Sequence, residues 1–262
     1  MKVGIGQLNI IWENKEANQK KCKNIVIEAS QKDVDFLIFP EMTLTGFTMH
    51  TNTMGEAFEN SESISFFRTC AMTYKMAIAF GIIINSDAKT YNNCIIVNAL
   101  GEVICNYSKI HPFTAGKEGI YYSSGDQMAF CNIEEFTVAP TICYDLRFPE
   151  IYQAASKKAG LIIVIANWPE IRAPHWHALL KARAIENQSY IIGVNKTGRD
   201  PSLNYIGKSA VIHPFGNIIT QITSEEGLII SDIEMKEVDE VRRSINLKAD
   251  RREELYARLF QG

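Results

Sequence analysis

Six cysteines are present, and one stands apart by its surroundings. Cys22, Cys70, Cys94, Cys105 and Cys131 fall inside apolar patterns and read as buried packing residues. Cys143 ends the apolar run FTVAPTI and opens TICYDLRFPE, which reads as a strand turning into the helix that starts after Pro149. Such a turn exposes a nucleophile and sets the next backbone N–H beside it. A free thiol with a pKa of about 8.5 is only slightly ionised at neutral pH, so it needs a base or a cation nearby.

Ligands of α/β sheets collect outside the carboxyl ends of the strands. The polar residues in that position are Glu41 after FLIFP, Lys109 after VICNYS, and Asn167 with Trp168 after LIIVIA. Glu41, Lys109 and Cys143 are a carboxylate, a cation and a thiol, a set that suits acyl transfer. Each also has a plainer reading. Glu41 caps a helix or faces water, Lys109 points out from a hairpin, and Glu118 is a solvated charge in the loop 115–125. The flanking YSKIHPF, however, suits an ammonium turned into a pocket. Tyr144 and Trp168 follow strands, so they line a pocket or fill the core. Asp145 is placed to cap the helix after Cys143. Arg147 pairs with Asp145 or a helix carboxylate, or meets a substrate carboxylate. His175 and His177 lie about 200° apart on a helix and cannot share a metal. With no CxxC pair or zinc-like spacing, neither metal nor cofactor is expected.

The elements that position these residues alternate. Val3–Ile10 alternates as a strand, and Cys22, Ile25, Val26 and Ala29 recur at helical spacing. FLIF (36–39) reads as a buried strand, Ile64, Phe67, Ala71 and Tyr74 as a helix, and AIAFGIII (77–84) as a strand again. Hairpin signatures lie at Asn98-Ala99-Leu100-Gly101 and Pro214-Phe215-Gly216-Asn217. LIIVIA, the Trp176–Asn187 helix, YIIGVN and LIISDI complete the pattern. Helix-connected and hairpin-connected strands together indicate α/β architecture with a mixed sheet, or two packed sheets with helices outside.

The chain has 262 residues and a formal charge of -3, from 27 Lys+Arg against 30 Asp+Glu. Hydrophobic residues make up 46%, which excludes wholesale disorder, and the charge argues against a nucleic-acid or membrane-surface partner. No run approaches the roughly 20 apolar residues of a membrane span. MKVGIGQLNI lacks a signal-peptide core, so a reducing cytoplasm is expected. Arg242-Arg243 and Arg251-Arg252 mark the tail from Lys236 as a solvated helix face or a segment packed on a partner subunit.

FPEM around Glu41, YSKIHPF around Lys109 and TICYDLRFPE around Cys143 together resemble the carbon–nitrogen hydrolase (nitrilase) superfamily, in its order and at plausible spacing. The resemblance runs from GIGQLNI to GKSAVIHPFGNII, and ANWPEIRAPHWHALLKARAIENQSYIIGVNKTG looks like the bacterial omega-amidase branch. It implies a four-layer α-β-β-α sandwich over residues 1–262 as a single domain, with 236–262 a C-terminal tail, that forms a homodimer through its helices. It also implies Glu41 as general base, Lys109 as oxyanion stabiliser, Cys143 as nucleophile and Glu118 as the second glutamate. Tyr144, Trp168 and Arg147 are the candidate substrate contacts. The implied substrate is a small amide, the omega-amide of a 2-oxo acid such as 2-oxoglutaramate or 2-oxosuccinamate; deaminated glutathione, aliphatic amides and N-carbamoyl amino acids are the alternatives within the superfamily. A metal phosphoesterase is disfavoured because Ser231-Asp232 is followed by Ile233 rather than His. A non-catalytic interaction protein has no need for the intact set of Glu41, Lys109 and Cys143.

Overall fold

The computed structural model describes residues 1–220 and 223–260. In chain order the strands are β1 (Lys2–Gln7), β2 (Phe36–Ile38), β3 (Glu56–Ala57), β4 (Ala77–Ser86), β5 (Lys89–Val97), β6 (Val103–Ser108), β7 (Cys131–Ile133), β8 (Phe136–Ile142), β9 (Leu161–Ala166), β10 (Tyr190–Asn195), β11 (Thr197–Arg199), β12 (Asn204–Ile206), β13 (Ala210–Ile212) and β14 (Gly227–Asp232). One sheet has the order β14-β1-β2-β4-β5-β6, with β3 also on β4. The other has the order β13-β10-β9-β8-β7, and β11 and β12 form a separate ribbon. Each large sheet contains a parallel trio flanked by antiparallel strands: β1, β2 and β4 in the first, β8, β9 and β10 in the second.

The helices cover the outer faces. α1 (Lys15–Ser30) begins at Asn14, whose side chain accepts from the Ala17 N–H, and buries Cys22, Ile25, Val26 and Ala29. α2 (Glu62–Tyr74) begins at Ser61, whose hydroxyl accepts from the Ile64 N–H. Both pack on the first sheet. α3 (Pro149–Ala155) carries proline in its first turn, where no intrahelical donor is needed. α4 (Ala173–Asn187) turns Trp176, Leu180 and Ala184 onto the second sheet. A third apolar zone, including Ile5, Ile38, Val138 and Ile163, fills the space between the sheets. The expected α-β-β-α layering is therefore present, and it explains why LIIVIA is buried throughout: both of its faces are covered.

Two local expectations need correcting. The hairpin at 214–217 closes, with the His213 N–H donating to Asn217 O at 2.8 Å, but its return arm is a single bridge between Ile212 and Ile218. Gln221 and Ile222 of that arm lie outside the described residues. The segment from Lys236 enters α5 (Met235–Ser244), which buries Val238 against the zone between the sheets, before α6 (Glu253–Phe260). Arg242 faces its own chain, donating to Gln188 O (3.1 Å), Ala159 O (3.0 Å) and Ser189 Oγ (2.9 Å). Arg243 is exposed.

Candidate active site

Strands of both parallel trios end beside one pocket, which Cys143 and Asn167 line. β2 leads into Glu41, β8 into Cys143, β9 into Asn167 and β10 into Lys196. Lys109 follows β6, and its N–H extends the ladder by donating to Asn92 O at 2.8 Å. The Glu41 loop lies directly on β4. A Cβ at Gly81 would stand 2.2 Å from Met42 N and 2.7 Å from Glu41 Cα, so only glycine permits this approach. Thr43 fastens the loop there, its N–H donating to Gly81 O and its hydroxyl accepting from the Gly81 N–H, both at 2.9 Å.

Lys109 is 1% exposed, and Glu41 and Glu118 are 0% exposed. The Lys109 ammonium donates to Glu41 Oε1 at 3.0 Å and to Glu118 Oε2 at 2.9 Å. Burial alone would favour neutral lysine, but the Glu41 and Glu118 carboxylates beside it hold its pKa well above the ordinary lysine value. Asn92 Nδ2 bridges the same carboxylates, at 2.7 Å from Glu41 and 2.9 Å from Glu118. The other Glu41 oxygen accepts from the Asn167 N–H at 2.8 Å, a bond that joins the two sheets. Glu118 also accepts from the Phe113 N–H at 2.6 Å, so it is a buried partner of Lys109 and not a solvated loop charge.

Cys143 opens a short 3₁₀ segment, Cys143–Arg147, with φ +48, in the left-handed region unusual for a residue with a side chain. Asp145 secures this elbow. Its carboxylate accepts from the Ile142 N–H (3.0 Å), the His111 N–H (3.0 Å) and the Tyr107 hydroxyl (2.8 Å). The expected helix cap is thus corrected: Asp145 reaches back across the elbow, and Phe148, the residue before α3, supplies no side-chain cap. Burial first, then Glu41, pushes the Cys143 thiol well above its ordinary pKa, while Lys109 opposes the shift. The resting group is the thiol, and an adjacent carboxylate is what it needs to react. Cys143 is also the only cysteine not fully buried among the described residues.

Lys109, Cys143, Tyr144, Arg147, Asn167 and Trp168 line one pocket, together with apolar residues such as Phe47 and Phe113. The pocket is narrow, with a cavity volume of about 50 Å³. A family model for carbon-nitrogen hydrolases matches residues 2–243. The chain belongs to the carbon-nitrogen hydrolase family. It is 33% identical over 252 residues to the "Hydrolase in agr operon" of Staphylococcus aureus, covering 94% of this chain and 95% of the relative. It is 33% identical over 253 residues to the 2-oxoglutaramate amidase of Bacillus subtilis, covering 95% and 97%. A solved CN-hydrolase superfamily protein from Xanthomonas campestris, XC1258, superposes with a TM-score of 0.90 at 26% identity, covering 96% of this chain and 97% of that one.

In this hydrolase, Tyr144 and Trp168 both line the pocket, and Trp168 also belongs to the core beside the second sheet. Arg147 does not pair with Asp145. Its guanidinium lies 4.9 Å from the Trp168 ring centroid, with Nη2 3.2 Å from His175 Nδ1. His177 turns elsewhere, to Lys208 O at 2.9 Å. Asn92 is not singled out by the sequence; its local mark is that the pair Asn92-Asn93 is polar within the buried part of β5.

Lys196 is 1% exposed, and its ammonium has no hydrogen-bond partner among the described residues. It stands 4.3 Å from the ring centroid of Tyr205, a pocket residue. Burial lowers its pKa to about 8, with Asp200 opposing. Between that value and the ordinary 10.5, the unfolded chain holds a proton that the folded chain has released. Stability therefore gains from this residue as pH rises through the interval, by up to about 1.4 kcal/mol per pH unit. Urea unfolding of wild type and Lys196→Met at pH 7, 8, 9 and 10 isolates the effect: the wild-type stability rises relative to the variant. Parallel curves exclude it.

Proposed function

We propose that Cys143 is the nucleophile of an amide-hydrolysing centre in which Glu41 moves protons and Lys109 stabilises negative charge. The observation that carries this reading is the hydrogen-bonded Glu41–Lys109–Glu118 group beside the Cys143 elbow, buried at one pocket. Glu41 takes the thiol proton as sulfur forms a bond to the amide carbon. The carbonyl oxygen becomes an oxyanion, met by the Lys109 ammonium and the Tyr144 N–H. That N–H lies in the first turn of the 3₁₀ segment, where backbone donors have no acceptor within the helix. One such donor contributes about 2.7–4 kcal/mol to the transition state. Collapse breaks the carbon–nitrogen bond, Glu41 returns the proton, and ammonia leaves a thioester. Water then gives a proton to Glu41 and attacks the thioester carbon. The carboxylic acid departs and the thiol regains its proton. Glu118 fixes the ammonium through its two oxygens, and no step requires a metal or organic cofactor.

The substrate we propose is the ω-amide of a small 2-oxo acid, 2-oxoglutaramate or 2-oxosuccinamate. The support is the similarity over nearly the whole chain to the 2-oxoglutaramate amidase of Bacillus subtilis. The small pocket with cations in its wall fits the same choice. Ammonia release should give a higher kcat/KM for 2-oxoglutaramate than for butyramide, because a charged hydrogen bond is worth about 1.5–3 kcal/mol. Equal or faster turnover of butyramide or butyronitrile excludes this substrate while leaving the thioester chemistry in place.

A further inference from the structure

The arginines that are buried or half-buried divide into two groups. Arg183, Arg242 and Arg251 are buried or half-buried, and protein acceptors answer each of them. Arg183 donates to Leu146 O and Glu186, Arg242 to carbonyls of the Gln188 region, and Arg251 to Gln153 and Glu253. Arg147 and Arg172 are also half-buried, yet neither has a carboxylate or carbonyl acceptor for its guanidinium among the described residues. These are the two that line the pocket.

Their setting is specific. Arg172 ends the short turn Glu170–Arg172, and its guanidinium stands 5.1 Å from the Phe113 ring centroid. The turn is tied to the pocket wall, because Trp168 Nε1 donates to Arg172 O at 2.8 Å. Arg147 lies 4.9 Å from the Trp168 ring and 6.0 Å from the Tyr144 ring, and Tyr144 meets Phe113 edge-on at 5.0 Å. Cations and aromatic rings thus alternate around the cavity. A guanidinium held by a ring still has N–H donors along its edge, in a planar fork that matches a carboxylate. No Asp or Glu is among the residues lining this pocket. Lys109 cannot serve the same end, since its ammonium is already shared between Glu41 and Glu118.

We propose that Arg147 and Arg172 form a subsite for the carboxylate of the substrate. This rests on the amidase reading above and deepens it. A 2-oxo acid presents a carboxylate and an adjoining carbonyl, so it offers three acceptor oxygens to two guanidinium forks. The subsite therefore selects the acid end of the substrate while Cys143 acts on the amide end. Of the neighbouring cations, Arg199 is exposed and Lys196 stands over the Tyr205 ring; neither lines the pocket.

The test compares wild type with Arg147→Gln, Arg172→Gln and Arg172→Lys. Steady-state kinetics use 2-oxoglutaramate and butyramide, and calorimetry measures binding of 2-oxoglutarate without turnover. Each Gln variant should raise KM for 2-oxoglutaramate by about tenfold or more, as expected for lost charged hydrogen bonds, and by more than it changes kcat. The Kd of 2-oxoglutarate should weaken in step, and Arg172→Lys should recover part of the loss. Unchanged KM and Kd in both Gln variants overturn the subsite, as does an equal fall in kcat/KM on butyramide. Failure of wild-type protein to bind 2-oxoglutarate overturns it too. If wild type instead prefers butyramide, the substrate reading falls, and the calorimetric series alone decides for or against the subsite.

Discussion

Cys143→Ala should abolish hydrolysis, lowering kcat by roughly 10⁴–10⁶, the scale seen when a covalent nucleophile is removed. The fold should survive. The substitution deletes one sulfur from a partly buried position whose polar contact is to Asn167 O at 4.0 Å. Cys131→Ala is the matching control. Its thiol is buried beside Cys105, and burial together with that neighbour raises its pKa far from the reactive range. It should cost stability but retain turnover. Ammonia-release rates and thermal melts of both variants separate the effects, and comparable activity in Cys143→Ala removes the nucleophile assignment.

Lys109→Arg should lower kcat/KM by about 10²–10³, although charge is conserved. The ammonium occupies a closed space between Glu41 and Glu118, with Asn92 already bridging the same carboxylates. A planar guanidinium is larger and cannot direct one donor into that space toward the oxyanion. Lys109→Met goes further, leaving two buried carboxylates without their cation at a cost of about 3–5 kcal/mol. Steady-state kinetics and urea unfolding of the two variants distinguish lost catalysis from lost folding. A Lys109→Arg enzyme that keeps more than about a tenth of the wild-type rate, a loss below about 1.4 kcal/mol, rules out the oxyanion role.

Much of the fold was legible because periodicity reports burial. LIIVIA and FLIF are uniformly apolar since both faces of their sheets are covered, and Cys22, Ile25, Val26 and Ala29 share the buried face of one helix. The candidate site was legible for a different reason: Glu41, Lys109 and Cys143 each stand at the end of a strand, and strand ends of α/β sheets converge. The residues missed depend on long-range geometry. Asn92 lies mid-chain in a strand, and nothing local reveals that its amide bridges Glu41 and Glu118. Asp145 follows Cys143 by two residues, as a helix cap would, but its partners Tyr107 and His111 come from far along the chain. Arg172 and Lys196 both follow strands of the second sheet, and only packing places one in the pocket wall and the other over the Tyr205 ring.

The hydrogen bond from the Asn167 N–H to Glu41 crosses from one sheet to the other. Cys143 belongs to the same side as Asn167, while Lys109 belongs to the same side as Glu41. The candidate constellation is therefore an alignment between two stacked sheets. A slip of either sheet by a fraction of an ångström would misalign thiol and carboxylate without breaking a rung in either ladder. The methyl groups wedged between them, those of Ile38, Val138 and Ile163 among others, act as shims that set this alignment. Interior residues with no chemistry of their own thus share responsibility for the reaction coordinate.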